Sequence, residues 1–61
     1  MIEKTYYIEN SAKLDGALHA IAFIVPCHVK RIYIEMDYSE VTIVARPEYL
    51  NIIEKELAPL V

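Results

Sequence analysis

Val29-Lys30-Arg31-Ile32-Tyr33-Ile34-Glu35-Met36-Asp37-Tyr38-Ser39-Glu40-Val41-Thr42-Ile43-Val44-Ala45 decides the fold. Apolar and polar residues alternate through both halves, which is the period of a half-buried strand. Ile32, Ile34 and Met36 are expected on one face of the first half, with Arg31, Tyr33 and Glu35 opposite. Asp37-Tyr38-Ser39 is short and polar and reads as the turn of a hairpin. Val41, Ile43 and Ala45 carry the buried face on, with Thr42, Val44 and Arg46 on the other side.

Upstream of the hairpin the period is helical. Leu14, Leu18, Ile21, Ala22 and Val25 follow one helix face. Asn10-Ser11 can cap its start and Pro26 ends it. Before that, Lys4-Thr5-Tyr6-Tyr7-Ile8-Glu9 is rich in strand-forming residues. Downstream, Pro47 suits the first turn of a second helix, and the Glu48 charge complements its dipole. Leu50, Ile53 and Leu57 form its apolar face, and Pro59 stops it.

The order is β-α-β-β-α. Layer logic puts both helices on one face of a three-stranded sheet, with the first and third strands adjacent. This is an α+β, ferredoxin-like sandwich over residues 1–61, one domain. The fourth strand of that pattern is reduced or missing, because only Leu60 and Val61 follow Pro59.

Composition narrows the class. The chain has 61 residues, 56% hydrophobic and 25% charged, with one glycine. That is globular rather than disordered. Folding of so short a chain leaves about 4,000 Å² accessible. Roughly 3,500 Å² of buried apolar surface gives on the order of 90 kcal/mol. Ordering the chain costs about the same, at ~1.5 kcal/mol per residue. The chain therefore has a motive to associate. A net charge of −3 disfavours nucleic acid as a partner. The apolar run Ala17 to Cys27 is too short to insert in a membrane. No signal peptide is read near Met1, and one cysteine fits a reducing, cytoplasmic setting.

The C-terminal half resembles the heavy-metal-associated domain family. The likeness is carried by Val29 to Asp37, by Glu40-Val41-Thr42-Ile43 and by Tyr49-Leu50-Asn51-Ile52-Ile53-Glu54-Lys55. Members have a G-V-x-x-V-x-V-D strand, a turn, an x-V-T-V strand and an isoleucine-rich helix. The resemblance implies soft-metal binding by two cysteines in the loop that opens the first helix. The matching stretch here, Glu9 to Asp15, holds no cysteine, and His28 precedes Val29 where the family has glycine. The family's ligands have no counterpart at any position of this chain.

Three functional readings follow. The first is a non-catalytic protein-interaction or self-association module, a homodimer or a complex with another protein. Its contacts would be Thr5, Tyr6, Tyr7 and Ile8 on the edge of the first strand, with Tyr33, or Phe23 and Ile24 on the first helix. The second is a copper, zinc or haem binder using Cys27 and His28 in the loop before the second strand, with His19. Eight residues of helix rise about 12 Å, so His19 would have to join them across a dimer. The third is a small-molecule-sensing regulatory module. Tyr7, Tyr33, Thr5, Arg31 and Thr42 are expected on the uncovered sheet face, where aromatic rings can face a protein or a base. The nine acidic residues give no converging acid–base pair, and no enzyme constellation is present.

Overall fold

The computed structural model describes every residue from Met1 to Val61. Strand β1 spans Ile2–Glu9, helix α1 Ala12–Ile24, strand β2 Cys27–Tyr33, strand β3 Tyr38–Ala45 and helix α2 Leu50–Leu57. A 3-10 turn at Pro47–Tyr49 leads into α2, and another at Ala58–Leu60 follows it. No strand follows α2. No helix is long and apolar enough to cross a membrane.

The architecture is α+β, two helices with a three-stranded antiparallel sheet. β3 lies in the middle and runs antiparallel to both neighbours. β1 and β2 are therefore parallel to each other, with β3 between them and one free edge each.

Local chemistry sets the element ends. Ser11 accepts the Leu14 amide at 3.1 Å and caps α1. Asp15 in the first turn suits the positive end of the helix. Pro26 follows the last turn and has no N–H to continue it. Ten buried apolar residues make the core: Leu14, Leu18, Ile21 and Val25 from α1 and its end, Ile53 and Leu57 from α2, and Ile8, Val41, Ile43 and Ala45 from the sheet. All the sheet members face one side, so both helices lie on that side. Ala22, expected in the α1 stripe, is exposed.

β2 faces the opposite way from its expected setting. Cys27, Val29, Arg31 and Tyr33 stand opposite Ala45, Ile43, Val41 and Ser39 on the covered face. Ile32 pairs with Glu40 on the open face and is 45% exposed. Ile34 and Met36 are exposed as well. The reason lies in the reversal. The Ile34 amide bonds the Tyr38 carbonyl at 3.1 Å, so the chain turns over Glu35, Met36 and Asp37. An odd number of turn residues sets even positions opposite even ones, and Val41, Ile43 and Ala45 are odd. Tyr38 and Ser39, expected in the turn, already belong to β3. Arg31 and Tyr33 thus leave the open face, while Thr5, Tyr7 and Thr42 lie on it, with Thr5 and Thr42 hydroxyls 3.2 Å apart.

Candidate interaction site

Two polar features sit on the covered face, one at each flank of Val41. Arg31 on β2 and Tyr6 on β1 both stand opposite Val41 and so share one cross-strand row.

The Arg31 side is closed. Its Nε donates to Ser39 Oγ at 3.1 Å, NH2 to Asn10 Oδ1 at 3.0 Å and NH1 to Asp15 Oδ1 at 2.5 Å. The fully buried Ser39 hydroxyl donates in turn to Asn10 Oδ1. Asn10 Nδ2 donates to the Met36 carbonyl, and its backbone N–H to that of Asp37. The guanidinium lies 4.7 Å from the Tyr33 ring centroid. This cluster ties the start of α1 to the hairpin. It fills the place where the resemblance would put a metal loop, and no buried side-chain polar atom in it lacks a partner. Sequence reading missed it. The available signal was an arginine at a strand position whose neighbours on that face, Val29 and Cys27, are apolar.

The Tyr6 side is open. Tyr6, Glu54, Leu57, Ala58 and Val61 line a groove of about 340 Å³ between the outer edge of β1 and the end of α2. The Tyr6 hydroxyl is buried there with no hydrogen-bond partner. Burial, and then the nearby Glu54 charge, push its pKa above 10.0. Lys4, two residues back on the same face, is exposed, and Arg31–Asp15 is the single ion pair in the chain. The groove lies beside the flank that a fourth strand would cover. That missing strand was the signal in the sequence, although Glu54, Ala58 and Val61 were not read from it.

The edge beside the groove follows from the ladder. Asn10 donates to Asp37, so it points its backbone groups toward β3. Antiparallel ladders alternate residue by residue. Ile2, Lys4, Tyr6 and Ile8 therefore bond inward, and Glu3, Thr5, Tyr7 and Glu9 turn their N–H and C=O groups outward. Eight residues without a proline leave this edge unblocked.

The remaining expected residues scatter. Ile8 is 1% exposed in the core, so only its backbone neighbours, not its side chain, can serve an interface. Phe23 is 86% exposed, Ile24 is exposed beside it, and both lie on α1 away from the groove. Tyr33 is exposed on the far edge, over Arg31. Cys27 and His28 lie within β2 rather than in a loop, on opposite faces. Burial pushes the Cys27 thiol upward, away from the thiolate a metal needs. His19 is exposed on α1. No three His, Cys, Asp or Glu side chains converge within the chain. No family model, curated protein or solved structure matches the chain.

Proposed function

We propose that this chain is a non-catalytic, ferredoxin-like interaction domain that self-associates by accepting a strand on the outer edge of β1. The carrying observation is the bare edge of Ile2–Glu9 lying directly beside a groove lined by Tyr6, Glu54, Leu57, Ala58 and Val61. An incoming strand would bond Glu3, Thr5, Tyr7 and Glu9 and drop alternate side chains into the groove. The ferredoxin-like reading rests on the β-α-β-β-α element order with both helices on one side of the sheet. The likeness to the heavy-metal-associated family enters as a shared element order without the thiolates. Neither hydroxyl near the start of α1 is free for chemistry: Ser11 caps the helix and Ser39 is held by Arg31 and Asn10.

Thr5→Pro tests the reading. The Thr5 N–H points outward, so proline removes a donor from the free edge and leaves the β1–β3 ladder in place. Sedimentation equilibrium should show concentration-dependent dimers for the wild type, at the weak end expected of so small an interface. Thr5→Pro should remain monomeric with an unchanged far-UV spectrum. A wild type that stays monomeric up to about 1 mM, a far weaker limit than specific complexes show, overturns the reading. So does a Thr5→Pro variant that dimerises equally well.

A further inference from the structure

The strand that β1 accepts can be named together with its register, an inference that rests on the edge reading above. We propose that β1 pairs antiparallel with β1 of a second copy about a twofold axis at Thr5, so that Lys4 of each copy enters the groove of the other and meets Glu54.

The register follows from three constraints. Outward-pointing residues must oppose outward-pointing residues, or the new ladder leaves its N–H and C=O groups unbonded. Glu3, Thr5, Tyr7 and Glu9 are all odd-numbered. Only registers that set odd against odd survive, and four of them pair five residues or more. Centring on Lys4 pairs only the first half of the strand and sets the two lysines opposite each other. Centring on Tyr6 opposes Glu3 to the partner's Glu9 twice over, and like charges directly across a ladder are destabilising. Centring on Tyr7 pairs only the second half of the strand. Centring on Thr5 opposes Glu3 to the partner's Tyr7 and Thr5 to the partner's Thr5. On the open face it extends the existing Thr5–Thr42 contact into a row of four threonines.

The same register decides the covered face. Ile8 falls opposite the partner's Ile2, a position with no opposing charge, and the buried Ile8 side chain stays in its own core. Lys4 falls opposite the partner's Tyr6. That pair is of the non-hydrogen-bonded type, in which side chains approach more closely. The groove beside Tyr6 carries one carboxylate, Glu54, and one buried hydroxyl without a partner. Lys4 carries a charge that no residue of its own chain pairs. The ammonium faces the Glu54 carboxylate, and its stem covers Leu57 and Val61. Each dimer contains the contact twice, because the interface is isologous.

Charge reversal in mixed pairs tests this directly. Lys4→Glu alone sets two acids together in each groove, and Glu54→Lys alone sets two bases together. Each single variant should dimerise at least about tenfold more weakly than the wild type, given the coupling energies of close interfacial charge pairs. An equimolar mixture of the two variants places opposite charges in both grooves. It should form heterodimers about as tightly as the wild type forms homodimers, and so should the double variant Lys4→Glu with Glu54→Lys. Far-UV spectra confirm that the variants fold. Variants that associate as the wild type does, or a mixture no tighter than its components, overturn the register. If Thr5→Pro still abolishes dimers in that case, the edge reading survives and only the Lys4 contact falls. If Thr5→Pro has no effect, the edge itself is wrong.

Discussion

Arg31 and Tyr6 flank Val41 in one row beneath the helices, and the two sides of that row are completed differently. Both bring polar atoms into a mostly apolar layer, where an unmet donor or acceptor costs about 1–3 kcal/mol. Arg31 finds three partners within its own chain. Tyr6 finds none. A cluster satisfied internally fixes the fold and has nothing left to offer a partner. On the Tyr6 side the proposal has a second chain complete the structure along the free edge of β1.

The largest expected effect falls on the closed side. Arg31→Leu should lower unfolding free energy by about 2–4 kcal/mol in urea melts, because Ser39 and Asn10 keep buried atoms without their donor. A loss under about 0.5 kcal/mol, the scale of a neutral surface change, would show that the cluster contributes little. Next in size is the facing of β2. Val29→Asp should destabilise by about 2–3 kcal/mol, because it puts a charge under the helices. Ile32→Asp should cost under ~1 kcal/mol, because position 32 lies on the open face. The reverse ranking would restore the facing first read from the sequence.

Smaller effects sharpen the contrast. Asp15 is 65% exposed, so its pair with Arg31 is largely screened. Asp15→Asn should change stability by no more than about 1 kcal/mol, and urea melts with and without 0.5 M salt measure how much of that is charge. On the open side, Tyr6→Phe should stabilise the monomer by about 1–3 kcal/mol, since it removes a buried hydroxyl that has no partner. The Tyr6 proton is held above its ordinary value of 10.0, chiefly by burial. The folded state keeps that proton more tightly than the unfolded chain. The stability it contributes is therefore present below about pH 10 and declines as pH rises through the folded pKa. Alkaline melts of monomeric protein should lose this decline in Tyr6→Phe.

Much of this was legible in the residues. Leu14, Leu18 and Ile21 keep helical spacing, Val41, Ile43 and Ala45 keep strand spacing, and nothing in either run contradicts its period. β2 differs because its halves disagree. Cys27 and Val29 make the odd positions apolar, whereas Ile32 and Ile34 favour the even ones. The choice belongs to the turn at Glu35, Met36 and Asp37, a non-local constraint set partly by Asn10. The site was half legible. A strand edge without its neighbour follows from counting elements. The groove residues Glu54, Ala58 and Val61 come from the far end of the chain, and no local pattern joins them to Tyr6.

The most direct measurement is an isotope-filtered NOE experiment on a mixture of labelled and unlabelled protein at a concentration where dimers form. Pairing centred on Thr5 brings the α-protons of Lys4 and the partner's Tyr6 against each other, so strong intermolecular cross-peaks should join those two residues. Cross-peaks confined to the open face at Tyr7 and Ile32, or to Phe23 and Ile24 on α1, would contradict strand pairing along β1.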